Sequence, residues 1–266
     1  MHNPFITIIN SLLPEPQASL LNGILFGVKT SMSPALYQAL IDTGTLHIIA
    51  LSGMNISILI TLVGKTTLFL GRKFSGFLTI VFIILFVWFV GASPSLIRAA
   101  IMGFLSLFAL YSGRVNWAIL TLFLAGLIML LFNFDFIKDL SFQLSFLATL
   151  GIILVSSDKK KFRKNPIDNI IYSIKENFKI TLAAQIFTLP VILINFHRLS
   201  IIAPIANLLI VWAIQPIMIF GFITGILGLI WLPLGVLSAW MVWTGLTYII
   251  TAVEWLGKVP GASLEF

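Results

Sequence analysis

Polar side chains interrupt four otherwise apolar stretches of this sequence, and they are the residues that could do chemistry. They lie in HIIALSGMN (His47–Asn55), GASPSLIRAA (Gly91–Ala100), SFQLSFLATLG (Ser141–Gly151) and LAAQIFTLP (Leu182–Pro190). An unpaired polar group in hydrocarbon costs several kcal/mol, so each insert needs a protein partner, water or a ligand. The sequence therefore predicts an apolar helical frame that carries four polar inserts.

Arg98 is the insert residue with the strongest functional implication. It stands one turn inside a predicted helix that begins near Pro94, and arginine near the centre of a membrane helix costs about 2.5–3.5 kcal/mol. The guanidinium keeps its charge and offers five donors in a planar fork, which suits a phosphate or a carboxylate. The structural alternative is snorkelling to the membrane surface, which the nearness of Pro94 allows.

The His47–Asn55 insert predicts a polar lining or a gate. His47, Leu51 and Asn55 would share one side of a continuous helix, because each step of four residues rotates only slightly. Ser52 and Gly53 could unwind that helix and expose backbone groups, which is tolerated at membrane depth only beside protein or water. The alternative is a histidine that simply bonds to a neighbouring helix.

Amide side chains in other helices form a second group of candidates. They can bridge helices or line a water path, and for each one alone structural cross-linking is the better interpretation. Small residues at helical spacing, such as Ser141, Ser145 and Thr149, suit close helix packing. The amide candidates are Gln143, Gln185 and Asn207.

The composition indicates an integral membrane protein. Of 266 residues, 59% are hydrophobic and 9% are charged, whereas a soluble domain carries about 25% charged residues. The absence of cysteine excludes disulfides and thiolate metal sites. The sequence contains no P-loop, HExxH helix or GxSxG elbow, so we expect no enzymatic activity, no cofactor and no bound metal.

The apolar runs predict an all-α, polytopic helix bundle with about eight transmembrane helices. Residues 1–44 are predicted to form short interfacial amphipathic helices, two of them divided near Ser31–Pro34. Residues 45–260 form the predicted membrane domain, and residues 261–266 a tail. Pro204 and Pro216 predict a broken or kinked span. The predicted spans are Thr45–Leu70, Phe74–Val90, Pro94–Tyr111, Trp117–Phe132, Ser141–Val155, Ile180–Ile194, Ile202–Trp231 and Leu234–Leu256.

The basic residues predict the orientation of these spans. Alternating crossings place Arg72–Lys73, Arg114 and the Asp158–Lys179 loop on one side, and together these hold most of the 16 Lys and Arg residues. The positive-inside rule makes that side cytoplasmic. We therefore expect both termini outside and the Asp158–Lys179 loop in the cytoplasm.

Five segments carry a family resemblance. LPEPQASLLNGILFG follows the pattern LPEPxAxLLxGxLxG, and TGTLHIIALSGMNISIL follows TGLxHLLAISGLHxxxL. GASPSLIRAAIM, LSFQLSFLATLGI and AAQIFTLPVILINFHRLSIIAPIANLL follow GxSPSxxRAxxM, GFQLSFxAxxGI and AAQxxTLPxxxxxFxxxSxxxxxxNLL. In this order, from about Leu13 to Ala262, the chain resembles the membrane competence domain of the ComEC family, the inner-membrane channel for DNA uptake.

The resemblance also implies site residues. Asn55 stands where the family usually has a second histidine, so a hydrogen-bonding role is expected there rather than a titrating or metal-binding one. GVKTS at Gly27–Ser31 replaces the family's GDRSG-like turn. The positions that match the family motifs are His47, Ser52, Gly53, Ser93, Arg98, Gln143, Ser145, Gln185 and Asn207.

The function that the resemblance implies is passage of single-stranded DNA into the cytoplasm during natural transformation, across the bacterial inner membrane. Arg98 would be the main phosphate contact, the amides neutral donors, and His47–Asn55 a bend or gate. The implied partners are single-stranded DNA, membrane lipid, an external DNA receptor, and a cytoplasmic helicase or single-stranded-DNA-binding protein. The sequence leaves the oligomeric state open.

Longer family members add an external OB-like domain before this region and a β-lactamase-like domain after it. Neither is recognisable in these 266 residues, so the nuclease activity proposed for longer members is not expected of this chain. Two other functions fit the residues: a small-anion transporter built around Arg98, and a non-conducting membrane scaffold for DNA-uptake partners.

Overall fold

The computed structural model describes residues 4–29, 31–50, 53–113, 117–156, 166–196, 198–259, 261 and 263–265. Within these ranges the protein is all-α apart from one short β-ribbon, which confirms the predicted fold class. The helices, in chain order, are α1 (Pro4–Leu12), α2 (Gln17–Phe26), α3 (Pro34–Asp42), α4 (Gly53–Thr67), α5 (Arg72–Val90), α6 (Pro94–Tyr111), α7 (Ala118–Phe132), α8 (Leu140–Val155), α9 (Pro166–Phe196), α10 (Ala203–Ile230) and α11 (Leu232–Gly257). Short 3-10 helices lie at Leu46–Ile48, Leu68–Leu70 and Phe134–Lys138, and the strands are β1 (Arg198–Ser200) and β2 (Ser263–Glu265).

Six helical segments in the described ranges are long and apolar enough to cross a membrane, by length and composition. Two further predicted spans are also helices, but α7 and α8 have only 15 and 16 residues and fall short of that length. Each of the eight predicted spans therefore contains a helix, and the chain is a multi-pass membrane protein. The six segments are Gly53–Leu70, Arg72–Val90, Pro94–Tyr111, Tyr172–Asn195, Ala203–Ile230 and Leu232–Gly257.

The predicted continuous helix from His47 to Asn55 does not form. Gly44 adopts a φ of +66° in the turn after α3, and Leu46–Ile48 then form only a 3-10 turn. A Cβ at Gly44 would lie 2.6 Å from the Cβ of Ala203, so both the backbone conformation and the close approach require glycine there. Because α4 begins at Gly53, the histidine and the asparagine belong to different elements.

The chain forms two compact units. The first combines Met1–Leu51 with His197–Phe266, and the second consists of Ser52–Phe196. The predicted boundaries at residues 44 and 260, drawn within one membrane domain, stay predictions.

In the first unit, α2 packs against α10. A Cβ on Gly221 of α10 would lie only 2.8 Å from the side chain of Leu21, so the glycine allows the two helices to approach closely. Residues 18–26 of α2 are all buried. An interfacial amphipathic helix would expose one face, so that prediction is wrong for α2, although the division into two short helices near Ser31–Pro34 is confirmed.

The β-ribbon of the first unit fixes the end of α3. β1 and β2 pair antiparallel, with Ser200 opposite Ser263. The Ser200 hydroxyl donates to the carbonyl of Asp42 (2.7 Å), and the Ser263 hydroxyl donates to Asp42 Oδ1 (3.3 Å). The turn that leads to His47 therefore starts from a residue tied to both strands.

In the second unit, α4 and α6 run parallel. A Cβ on Gly53 would lie 3.3 Å from the Cβ of Ala99, and further along α6 a Cβ on Gly103 would lie 2.8 Å from Ile60. α8 and α9 make an even closer contact, because a Cβ on Gly151 would lie 2.7 Å from the carbonyl oxygen of Ala183. Glycines thus set the helix spacing on both sides of this unit.

The helix α9 corrects the predicted Asp158–Lys179 loop. α9 runs for 31 residues and contains Pro190 in its interior. The loop prediction is therefore wrong from Pro166 onward, and the Lys159–Lys164 run lies outside the described residues. Proline suits a first helical turn, and Lys and Glu are good helix formers, so the polarity of this stretch does not indicate a loop.

The span Ile202–Trp231, predicted to be broken or kinked, contains one unbroken helix of 28 residues. Pro204 stands in its first turn, where no backbone donor is lost, and Pro216 stands inside it. The chain is therefore not divided at either proline.

Candidate functional site

Arg98 lies in the second turn of α6, and the start of that helix is fixed locally. Ser93 has extended backbone geometry, and its hydroxyl accepts from the backbone N–H of Leu96 (3.4 Å). Pro94 follows in the first turn, as helix starts prefer. The cap therefore sets where the Arg98 side chain leaves the helix, and that side chain is only 4% exposed.

The guanidinium of Arg98 ties α6 to α8. Its NH1 group donates to the backbone carbonyl of Ser145 and to the hydroxyl of Thr149. Its Nε is buried and has no partner among the described residues. The buried guanidinium contacts α8 and not a surface, contrary to the snorkelling alternative, and Ser145 takes part through its backbone oxygen.

The first residue of α4 also lies beside the guanidinium. A Cβ on Gly53 would be 3.6 Å from the NH2 group of Arg98. The parallel run of α4 and α6, and the Arg98 contact to the second turn of α8, bring three helix N-terminal ends to one end of the unit. Helix N-termini carry positive partial charge, which adds to that of the arginine.

No acidic residue within α4 to α8 balances this charge. The helices α4, α5, α6, α7 and α8 contain no Asp or Glu. Asp139, just before α8, uses its Oδ1 to cap that helix by accepting from the N–H of Phe142 (2.9 Å). Arg98 is the one charged side chain among the buried residues that the structure describes. Helices α4 to α8 therefore offer Arg98 neutral acceptors and no carboxylate partner.

Two predicted site residues have local structural roles. Ser93 caps α6, as described above. The amide of Gln143 donates to the carbonyl of Ile137 (2.8 Å) and so fixes the 3-10 turn that precedes α8. Both contacts are local in the chain, so this Gln143 contact is not the cross-link between helices that was its structural interpretation.

Three further predicted residues of the second unit stand in different settings. Asn55 is buried in α4, 3% exposed. Gln185 is half-buried in α9, and its backbone carbonyl accepts from the hydroxyl of Thr188 (3.2 Å). The contacts made by the described residues do not join Gln143 or Gln185 to Arg98, and Ser52 lies outside the described residues.

His47 and Asn207 belong to the first unit, whereas Arg98 and its neighbours Gly53, Ser145 and Thr149 (the Arg98 group) belong to the second. The Nδ1 of His47 donates to the carbonyl of Gly44 (3.1 Å). Although the ring keeps an exposed edge, the protein atoms around it disfavour its charged form and lower the pKa of His47, and the hydrogen bond to Gly44 opposes that effect. The buried Oδ1 of half-buried Asn207 has no partner among the described residues.

Thr149 is a functional candidate that the sequence interpretation assigned to packing only. Its hydroxyl accepts from Arg98 and also donates to the Ser145 carbonyl (2.8 Å). Ser145 and Thr149 are four residues apart and share one helix face. Two polar residues on one face of a short helix could have been recognised as acceptors for an arginine in another span, but the sequence does not say which span holds that arginine.

Comparison with known proteins assigns the family. The model of the Competence protein family matches residues 24–266. ComE operon protein 3 of Bacillus subtilis (strain 168) is 29% identical over 227 residues, which are 84% of this chain and 28% of that protein. An uncharacterized protein of Aquifex aeolicus (strain VF5) is 32% identical over 136 residues, which are 50% of this chain and 32% of that protein.

The chain spans less than a third of the length of either relative. No solved structure matches it. The family model covers all of the helices from α3 to α11, including every residue of the Arg98 group. The chain therefore belongs to the competence protein family.

Proposed function

We propose that this chain forms the path by which single-stranded DNA crosses the bacterial cytoplasmic membrane during competence. Membership of the competence protein family supports a role in DNA uptake. The observation that supports conduction of DNA by this chain is Arg98, a buried cation beside helices that contain no carboxylate.

A DNA strand in a membrane must exchange the hydration of its phosphates for donors in the protein. Arg98 and the N-terminal ends of α4, α6 and α8 offer positive charge at one end of the second unit. Gln143, Gln185 and Asn207 are the proposed neutral donors along the path. Conduction also requires weak binding at each point, so a single buried cation suits passage better than a dense basic cluster.

The charges at the other ends of these helices support an orientation for the path. Arg72 and Lys73 follow α4, Arg114 follows α6, and the Lys159–Lys164 run follows α8. By the positive-inside rule these ends are cytoplasmic, which places Arg98 toward the external entrance. We therefore propose that Arg98 meets the strand as it enters, and that both chain termini lie outside.

The proposal contains no catalytic step, cofactor or metal. It does require other proteins, because this sequence contains no ATP-binding motif that could drive movement. An external DNA receptor and a cytoplasmic helicase or single-stranded-DNA-binding protein are the proposed partners.

Uptake of labelled single-stranded DNA by a transformable host tests the proposal. The host's own relative is deleted, and the chain is supplied either alone or grafted in place of the matching membrane segment of that relative. Arg98→Gln is compared with Lys65→Gln, which removes one positive charge from an exposed position on α4. We expect uptake with the parent and with Lys65→Gln, and at least about a tenfold loss with Arg98→Gln, a loss of about 1.4 kcal/mol.

Absence of uptake by both the well-inserted chain and the graft would refute conduction by this chain. Uptake by the graft alone would mean that the remaining parts of the longer protein are required. Full uptake by Arg98→Gln would remove Arg98 from the path.

A small-anion transporter remains the second candidate, because a single buried arginine with neutral partners also fits one small anion. Salt dependence of oligonucleotide binding separates the two functions. Single-stranded DNA held at several phosphates loses affinity steeply with salt, by a slope of about −0.7 per phosphate contact in logarithmic units. A slope near that of one contact would favour the small anion.

A further inference from the structure

The Arg98 contact to α8 is made entirely with neutral acceptors. NH1 donates to the carbonyl of Ser145 and to the hydroxyl of Thr149, and both acceptors lie on α8. Nε remains without a partner among the described residues. The guanidinium therefore has unused donor capacity where it is buried.

The Ser145 carbonyl is also shared among more donors than it has lone pairs. It accepts from the hydroxyl of Thr149 (2.8 Å), and as a residue inside α8 it accepts the backbone N–H four residues later. Arg98 is the third donor to one oxygen that has two lone pairs. If Arg98 leaves, the Ser145 carbonyl therefore still accepts two hydrogen bonds, and no acceptor in α8 is left unsatisfied.

We propose that Arg98 is a phosphate-operated latch: one phosphate group pairs with the guanidinium, which then releases Ser145 and Thr149 and frees α8 from α6. A phosphate offers charged oxygens to two guanidinium N–H groups at once, which is stronger than one charged donor on a shared neutral oxygen. No carboxylate on α4 to α8 competes for the guanidinium.

The latch would couple opening of the proposed path to the arrival of DNA. Before binding, the tie to α8 holds the unit in one arrangement. The free energy of that tie reduces the apparent affinity for phosphate, because only the released guanidinium is competent to bind. The latch rests on the proposed function only for the source of the phosphate, a DNA strand rather than the free ion.

The cysteine-free sequence allows a direct test with paired labels. Ala92→Cys and Ser141→Cys place two spin labels at exposed positions, one just before α6 and one in the first turn of α8. The distance between them is measured in the full chain in lipid nanodiscs, without addition, with inorganic phosphate, with a short oligothymidylate, and with chloride at equal ionic strength. This pair leaves Arg98 and its partners intact, so the measurement does not depend on a variant at the site.

We expect one narrow distance distribution in chloride and a shifted or broadened one in phosphate and in oligothymidylate. An unchanged distribution at saturating concentrations of both phosphate sources would overturn the latch. A response to phosphate without a response to the oligonucleotide would keep the latch and assign it to a small anion. DNA uptake without any distance change would refute the latch and leave the proposed function standing.

A matched pair of substitutions tests the role of α8. Thr149→Val removes one acceptor of Arg98, and we expect the half-saturating phosphate concentration to fall by about three- to tenfold, the equivalent of one hydrogen bond. Thr79→Val is the control, because among the described residues the Thr79 hydroxyl donates to the carbonyl of Ser75 in its own helix (2.8 Å). Equal half-saturating concentrations in the two variants would contradict the exchange of partners.

Discussion

Gly151 brings α8 close to the backbone of α9, and Gly151→Ala measures how tightly that contact holds α8. The added Cβ would stand 2.7 Å from the carbonyl oxygen of Ala183, whereas carbon and oxygen normally stay about 3.3 Å or more apart. Two helix backbones must separate by roughly 0.6 Å, and overpacking of this kind costs about 1–3 kcal/mol. Alanine also gains about 1 kcal/mol over glycine through helix propensity, which hides part of that cost.

Gly64→Ala supplies the matched control, because a Cβ at Gly64 in α4 would meet nothing within 4 Å. The propensity gain is common to both variants, so the difference in their stabilities reports the α8–α9 contact alone. We expect Gly64→Ala to equal or exceed the parent, and Gly151→Ala to be about 1–3 kcal/mol less stable than Gly64→Ala. In thermal unfolding in one detergent this difference corresponds to about 2–4 °C per kcal/mol. Equal midpoints for the two variants would refute the close packing of α8 on α9.

Two further substitutions test contacts within the first unit. Thr224→Val removes the hydrogen bond from fully buried Thr224 to the hydroxyl of Ser238 (3.0 Å), which joins α10 to α11, and we expect a loss of about 0.6 kcal/mol, seen as a melting midpoint about 1–3 °C lower. Asp42→Ala removes the acceptor of Ser263, so we expect faster backbone hydrogen exchange at Ser263–Glu265, and unchanged exchange there would contradict a ribbon held by Asp42.

The parts of the fold that were predictable from the sequence are those set by local signals. Ser93 and Pro94 mark the start of α6 through a cap and a proline, and the structure begins the helix there. The stretch around Ser31–Pro34 separates α2 from α3 for the same reason, because Ser33 caps α3 and accepts from the N–H of Leu36 (3.3 Å). Capping depends on a few neighbouring residues, so one sequence suffices to find it.

The incorrect predictions depended on distant residues. The polar residues of α2 suggested an exposed face, yet Asn22 is fully buried and its amide donates to Asn10 Oδ1 (2.7 Å). The charge of Lys175 and Glu176 suggested a loop, although α9 includes both. His47 and Asn55 share a helical spacing, but the 3-10 turn that holds His47 ends at Ile48 and α4 begins only at Gly53. The turn before His47 depends on Gly44, which packs against Ala203 far along the chain. Periodicity cannot report such contacts between distant segments.

At the site, too, contacts between distant segments were hidden in the sequence, and the charge of Arg98 is the strongest reason to expect a function. Arg98 was identifiable from its cost in a membrane helix, but its partner Thr149 was not. A neutral glutamine could donate to the Ser145 carbonyl as well, so holding α6 to α8 does not require a charge. Replacing Arg98 with Gln loses two charged hydrogen bonds of about 1.5–3 kcal/mol each and also removes the cost of burying an ion, which is several kcal/mol in effect.

These two terms nearly cancel, so we expect Arg98→Gln to unfold within about 1 kcal/mol of the parent, or about 4 °C in its melting midpoint. If the folded amount and the midpoint are kept while DNA uptake is lost, the charge serves the ligand and not the packing. A midpoint lowered by much more than this, with uptake lost in proportion to the folded protein, would make Arg98 a structural cross-link. The charge of Arg98 would then have to be explained by the stability of the α6–α8 pair, which its neutral and shared acceptors make difficult.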